Sequence, residues 1–276
     1  MPEFALSYSV LVIPLLLAGI IVIALRQHQV TLQRRQEKGL QWLKNLKSLL
    51  SNIQKHRGLS NGYLHGNHAA SADLQQIQGR VSQDLRQASR VDVLIEENER
   101  WQNITQHWAR LAGNFKNLSP ENNLTQHNNL IQSVLYLIDD MARQCDLMTL
   151  RSVNNKPLHL SWREMLGAAE YIGQARAIGT GVSAAQHCDS VSRIRLNYLC
   201  QMIEANTGRL WREIEPSEHQ RRKVSDLLTC INSKVIKDTP EISAEDFFAL
   251  ASAALDGLHE QYDDIIKDQQ FQQQPA

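Results

Sequence analysis

The sequence of residues 43–64 is LKNLKSLLSNIQKHRGLSNGYL, and the spacing of its apolar side chains predicts an α-helix. Alternating steps of three and four residues place one set of positions on a single helix face: Leu43, Leu46, Leu50, Ile53, Arg57, Ser60 and Leu64. Arg57 therefore lies on the stripe that faces the protein core. Because a lone buried charge loses its hydration, Arg57 needs an anionic or hydrogen-bonding partner there.

Helical spacing continues through the rest of the chain, and strand-like alternation is nowhere sustained. The pattern predicts further helices at about 70–112, 121–151, 161–187, 189–213, 217–236 and 243–268. Ser119-Pro120 and a capping box at Ser161–Glu164 are typical of helix starts. The predicted fold is all-α: an N-terminal transmembrane helix followed by two helical bundles of the four-helix type, residues 40–151 and 161–268.

The N-terminal segment predicts a membrane anchor over residues 1–25. No residue from Phe4 to Leu25 is charged, and about twenty apolar residues suffice to cross the hydrocarbon core. A cleaved signal peptide is disfavoured, since no basic region precedes the apolar run and no A-x-A site closes it. Residues 26–39 form a basic juxtamembrane helix. The positive-inside rule then places residues 40–268 in the cytoplasm, at the inner membrane of a bacterium, with a periplasmic placement as the alternative. Residues 269–276 are expected to be disordered.

The composition argues against several classes of function. Lys plus Arg and Asp plus Glu both total 29, which gives no electrostatic case for nucleic-acid binding. The four cysteines form no CxxC pair and are expected to be free thiols, although their even number also allows two disulfides. His65 and His68 lack a second ligand pair for a metal. There is no nucleophile–base arrangement and no phosphate loop, so we expect neither an enzyme nor a cofactor.

A second stretch repeats the arginine-led pattern of the first. Residues 57–62 are RGLSNG and residues 176–181 are RAIGTG. Arg176 also lies on a core-facing stripe, with Met165, Ala169, Ile172, Gly179 and Ser183. Each helical glycine costs about 1 kcal/mol relative to alanine, a cost accepted where backbones approach closely or a ligand needs room. Two facing arginines would bind a small planar anion such as nitrate, nitrite or a carboxylate through their forked donors.

These residues resemble a known family. Residues 54–60, QKHRGLS, resemble the first-helix motif of nitrate- and nitrite-sensing (NIT) domains, and residues 162–177, WREMLGAAEYIGQARA, resemble the second motif. The resemblance spans about residues 40–265. It implies a sensor of two helical bundles that holds nitrate or nitrite through Arg57 and Arg176. His56 stands where the family often has an acidic residue or another arginine, and is the third candidate ligand residue.

The resemblance also implies further ligand arginines on later helices, for which the sequence offers Arg193, Arg195, Arg209, Arg212, Arg221 and Arg222. Family members usually have an output module, and residues 1–276 contain none. The signal is therefore expected to pass to an unidentified signalling protein. Homodimerisation is a further expectation, because membrane-tethered helical sensors often work as dimers.

Two alternatives remain at the level of sequence. In the first, the chain is a membrane-tethered scaffold or adaptor, and its arginines only pair with buried carboxylates such as Asp139, Asp140 or Glu170. In the second, the domain is a sensor on the outer side of the membrane, with a carboxylate or another small solute as its ligand.

Overall fold

A computed structural model describes residues 3–66, 68–152 and 155–273, with side chains described for 14–66, 68–152 and 155–271. It contains eight α-helices over these residues: α1 (Glu3–Leu64), α2 (Ser71–Val91), α3 (Glu99–Asn114), α4 (Pro120–Gln144), α5 (Leu166–Ala185), α6 (Ser190–Glu213), α7 (Glu218–Cys230) and α8 (Ala244–Gln273). No β-strand occurs in these ranges, where Arg151 and Pro157 form an isolated bridge. The predicted all-α fold is confirmed.

Helix α1 connects the apolar N-terminal segment to the core without a break. It has 62 residues and is about 93 Å long at 1.5 Å per residue. Residues 14–30 are exposed, and this helix is long and apolar enough to cross a membrane. From Leu40 onward one face is buried, and it packs against α2, α4 and α8. One helix therefore joins the apolar segment, the core and Arg57.

The remaining helices form two groups around α1. Helices α2, α3 and α4 pack with it in the first half of the chain, whereas α5 packs against α6 and α8, and α7 packs against α8. Helix α5 approaches α8 closely, since a Cβ atom at Gly179 would overlap the ring of Phe247. All four cysteines are buried and unpaired, as expected for free thiols.

Three local features differ from the prediction. The helix expected over about 121–151 ends at Gln144. The helix expected over about 70–112 is two helices, separated by a 3-10 turn at Val93–Glu97. The Asp92 carboxylate accepts the N–H of Leu94 and the Asn98 amide oxygen accepts the N–H of Trp101, so short polar side chains cap the turn and the next helix. The predicted capping box at Ser161 is also wrong. The Ser161 hydroxyl donates to the Leu158 carbonyl, and residues 161–165 form a π-helical turn.

The end of α8 extends beyond the predicted limit of the domain. Helical structure continues to Gln273, and Gln269 is buried. Residues 274–276 of the tail expected to be disordered lie outside the described residues. At this end α8 packs against the start of the buried part of α1, where Lys47 pairs with Asp263 at 2.6 Å.

Candidate functional site

Arg57 joins the two halves of the chain. Its side chain is 2% exposed and forms a two-point ion pair with Glu170 of α5. The Nη1–Oε1 distance is 2.5 Å and the Nη2–Oε2 distance is 3.2 Å. Nη1 also donates to the Asn128 amide oxygen of α4 at 2.6 Å. The arginine on the core-facing stripe of α1 is thus satisfied by partners from α4 and α5.

Two glutamine amides complete the coordination of the Glu170 carboxylate. Gln54 Nε2 donates to Oε2 and Gln174 Nε2 donates to Oε1, both at 2.8 Å. With the two nitrogens of Arg57, four donors converge on two carboxylate oxygens. Such complete hydrogen bonding is the condition under which a buried ion pair is tolerated.

Gly173 provides the space that this ion pair needs. It lies one turn after Glu170 on α5, and a Cβ atom there would be 2.8 Å from Nη2 of Arg57 and 3.8 Å from Oε2 of Glu170. A distance of 2.8 Å is too short for any side-chain carbon. The small residue in the second motif is therefore explained by the approach of the guanidinium group.

Arg176 lies close to Arg57 but has a different environment. Nη1 donates to the Ser252 hydroxyl of α8 at 2.8 Å, and the guanidinium carbon lies 4.8 Å from the centre of the Phe248 ring. Among the residues whose side chains are described, no carboxylate lies within ion-pairing distance of it. Burial lowers the pKa of Arg176, and the positive charge of Arg57 lowers this pKa further. The two arginines are near enough to repel each other.

Other cations lie at the same junction of α1, α5 and α8. Burial lowers the pKa of His259 to about 3, and the positive charges of Lys47, Arg176 and Lys55 contribute to this shift. Nε2 of His259 has no hydrogen-bond partner within the described part of the chain. Lys47 pairs with Asp263, and the carboxylates of Glu170 and Asp256 partly offset the positive charges of the two arginines and Lys55.

Arg57 also lines a cavity of about 600 Å³, on the side of α5 that faces α4 and α6. Arg176 does not line this cavity. Its walls come from α1, α4, α5 and α6, and Asn128, Gln174 and Arg195 lie among its lining residues. The N-termini of α4 and α6 both open onto it, which adds two positive helix-dipole ends to the charge of Arg57. The carboxylates of Glu121 and Asp189 at the rim oppose that potential.

The side chain of His56 points in a different direction from that of Arg57. Adjacent side chains on a helix point about 100° apart. His56 is fully buried in the first half of the chain, with Nδ1 2.8 Å from His127 Nε2 and its ring edge-on to Trp108. It does not line the cavity that reaches Arg57. The structure thus brings Arg57 and Arg176 together without His56, whose role as a ligand stays a prediction that this position does not favour.

The later arginines are mostly engaged at the surface. Arg193 pairs with Asp238, Arg195 with Glu121, Arg209 with Glu164, and Arg222 with Glu218. Arg221 lies over the Trp211 ring. Of the six arginines proposed from sequence, Arg195 alone lines the cavity with Arg57 among the described residues. The described residues also contain no group of three potential metal ligands.

Sequence reasoning did not identify the amides of Gln54 and Gln174 or the imidazole of His259. Gln54 lies three residues before Arg57, and Gln174 lies four residues after Glu170, so each shares a helix face with the ion pair. That spacing could have indicated the first two. Nothing in the sequence around His259 predicts its position beside Arg176.

Comparisons with known proteins agree with the motifs. A family model described as nitrate and nitrite sensing matches residues 48–270. A solved structure, that of the NasR transcription antiterminator, is similar with a TM-score of 0.64 and 15% sequence identity, covering 93% of this chain and 74% of that chain. At this identity the likeness shows a shared fold. No curated protein sequence matches the chain. Since the family model covers most of the sequence, the chain belongs to the nitrate- and nitrite-sensing (NIT) domain family.

Proposed function

We propose that the protein binds nitrate or nitrite between Arg57 and Arg176, at the junction of α1, α5 and α8. The observation that supports this site is a charge imbalance. Of two neighbouring guanidinium groups, one buried and one half-buried, that of Arg57 pairs with Glu170, whereas that of Arg176 is influenced by Asp256 and Glu170 only at longer range. Their mutual repulsion and lost hydration disfavour the ligand-free arrangement. A monovalent anion between them would neutralise the excess charge.

The chemistry of the site suits a planar oxyanion. A guanidinium group offers parallel N–H donors in one plane, and nitrate and nitrite accept such pairs of hydrogen bonds. Arg176 gives one of its hydrogen bonds to a neutral hydroxyl group, Ser252, which an anion would replace favourably. Lys55 and the unpartnered Nε2 of His259 are the additional polar groups nearby.

The proposed response to the anion is a shift of helices. An anion held by both arginines would link α1 to α5 and α8, and it can move the equilibrium only by binding one helix arrangement more tightly than another. Because Arg57 and the apolar segment belong to the same helix, a shift at the site would be transmitted along α1. We propose that the apolar segment anchors the chain as a single pass in the inner membrane. The receiver of the signal would be a partner protein or a second copy of the chain.

The experiment is thermal unfolding of the full chain in detergent with nitrate, nitrite, chloride and acetate at equal ionic strength. A ligand at about 100 times its dissociation constant adds about 2.7 kcal/mol to the free energy of unfolding. For a domain of this size the melting temperature should rise by about 5–10 °C. We expect this rise with nitrate or nitrite, and its loss in Arg176→Ala.

Arg209→Ala is the matched control, because it removes the same charge from a surface ion pair with Glu164. This variant should keep the response to the anion. Arg57→Ala is less informative by itself, since it leaves the Glu170 carboxylate buried without its counter-ion and is expected to cost about 3–5 kcal/mol of stability. No rise in wild type with any of the four anions would contradict the proposal.

The ion pair between Arg57 and Glu170 also supports a second candidate function, that of a membrane-tethered scaffold in which the arginines are structural. This alternative predicts no anion-specific stabilisation. It also predicts similar losses of stability for Arg57→Ala and Glu170→Ala, with little further loss when the two are combined.

A further inference from the structure

The Glu170 carboxylate lies in a binding site that has the chemistry of an anion site. Three side chains surround it, from α1 and α5, and direct four N–H donors at its two oxygens: Arg57 twice, Gln54 once and Gln174 once. The group is 4% exposed, so protein donors have replaced its water. We refer to Arg57, Gln54 and Gln174 as the carboxylate cradle.

A carboxylate shares the features by which nitrate and nitrite are recognised. All three anions are planar and monovalent, with the charge delocalised over equivalent oxygens, and all accept two parallel hydrogen bonds from guanidinium. We infer that Glu170 is an internal ligand, which occupies the carboxylate cradle and competes with a free planar anion for Arg57. This inference rests on the proposed function and identifies the residue that sets the affinity and selectivity of that site.

Because Glu170 competes for Arg57, a free anion needs a minimum affinity for the site before it can bind. Glu170 is held beside Arg57 by α5, so its effective concentration at the cradle far exceeds that of a solute. A free anion must therefore interact with Arg57 and Arg176 together to displace or share it. Planar anions that bind one arginine weakly would be rejected.

The structure also offers the carboxylate an alternative position. Glu170 lines a second cavity of about 270 Å³, between α4, α5 and α6, which is separate from the cavity lined by Arg57. Gly167, Tyr171 and Asn206 lie among its other lining residues. In the proposed exchange the Glu170 carboxylate rotates into this cavity, whose polar lining includes Asn206 and Arg163 as well as the Asp139 carboxylate. Arg57 would then be available to the anion.

The test is nitrate and formate binding by the full chain in detergent, measured by titration calorimetry and thermal unfolding. Glu170→Ala empties the cradle, and we expect its dissociation constant for nitrate to be at least about tenfold lower than that of wild type, equivalent to 1.4 kcal/mol. Formate should bind this variant too and restore part of its melting temperature. Perchlorate is monovalent but tetrahedral, so it should bind this variant more weakly and restore less of its melting temperature.

Matched variants separate competition from general effects. Glu164→Ala removes the same side chain from a surface ion pair with Arg209 and should leave nitrate affinity unchanged. Glu170→Gln keeps the size of the side chain and removes its charge, although its Nε2 cannot accept the two hydrogen bonds that a carboxylate oxygen accepts there. It guards against a failure of Glu170→Ala to fold. It too should bind nitrate more tightly than wild type, whereas Arg57→Ala combined with Glu170→Ala should show no formate rescue.

The results distinguish this inference from the proposed function. If wild type responds to nitrate but neither Glu170 variant binds it more tightly, the internal-ligand inference is overturned and the sensor proposal stands. If wild type does not respond while the Glu170 variants bind nitrate through Arg57, the inference is supported and the sensor proposal fails. Rescue of Glu170→Ala by perchlorate as well as by formate would contradict a planar cradle.

Discussion

At the scale of single residues, two neighbouring arginines have different roles. Arg57 is enclosed by a carboxylate and an amide, while Arg176 contacts a hydroxyl and an aromatic face. An arginine with a complete set of partners resists displacement, whereas one bound to neutral groups has capacity for an anion. The pair therefore combines an arginine held by an internal carboxylate with one whose contacts are neutral.

The role of Gly173 can be tested against another glycine of the same helix. Gly173→Ala should displace the Arg57 guanidinium, because the new Cβ atom would lie 2.8 Å from Nη2. We expect a loss of at least about 1 kcal/mol in the free energy of unfolding, together with a weaker anion response. Both are measured by urea unfolding with and without nitrate.

Gly181→Ala is the control for this prediction. Gly181 also lies in α5, where an added Cβ would contact nothing within 4 Å. Alanine there should stabilise the helix by up to about 1 kcal/mol. Equal stability changes of the same sign in both variants would refute the steric explanation of Gly173.

At the scale of the elements, α1 serves both halves through different faces. His56 faces α3 and α4, where it contacts His127 and Trp108, and Arg57 faces α5. These two consecutive residues have different main partners, although both also contact α4, through His127 and Asn128. The imidazole pair is a polar contact inside an apolar core, where burial of a charged group costs free energy.

The histidine pair predicts an acid-sensitive core. Burial lowers the pKa of His56 to about 4 and that of His127 to about 3. Because the unfolded chain binds protons at these histidines near pH 6.5 and the folded chain does not, stability should fall as the pH drops from about 6.5 towards 4. Urea unfolding at several pH values in this range measures the slope.

His56→Gln should make this slope shallower by up to one proton, since glutamine does not titrate. His28→Gln is the control, because His28 lies on the exposed part of α1. An unchanged slope in His56→Gln would mean that the pair does not determine the acid sensitivity.

At the scale of the whole molecule, the direction of α1 and α8 relative to the membrane matters. Helix α8 runs back along α1, so its C-terminal end lies near the side of the domain from which the apolar segment emerges. A helix shift at the arginines would act at both ends of this antiparallel pair. Under the proposed membrane anchoring, the side of the membrane on which the domain lies would decide which anion pool it contacts.

Labelling of an introduced cysteine tests the proposed cytoplasmic side. Phe271 is 62% exposed near the end of α8, and the four native cysteines are buried, which keeps background labelling low. The basic residues after the apolar segment predict that Phe271→Cys reacts with a membrane-impermeant thiol reagent only after the inner membrane is permeabilised. Labelling in cells with an intact inner membrane would establish the periplasmic alternative.

Sequence patterns were sufficient to predict the helical fold class, the apolar N-terminal helix, the core-facing positions of Arg57 and Arg176, and the family motifs. These properties follow from local periodicity and from runs of apolar residues, which each segment has independently of the others. The break at Asp92 was missed, because short polar caps replace the Pro and Gly signals that usually mark such a turn.

The partners within the candidate site depend on how distant helices pack together. Glu170 was one of three carboxylates proposed for the arginines, and it lies 113 residues from Arg57 in sequence. The cradle amides, the position of His259 and the contacts of His56 with His127 and Trp108 were equally undetermined. Such contacts depend on how each helix is rotated and how closely it packs against its neighbours, as the approach of Arg57 to Gly173 illustrates. Helical periodicity specifies which face is buried, but the packing of distant helices specifies what that face contacts.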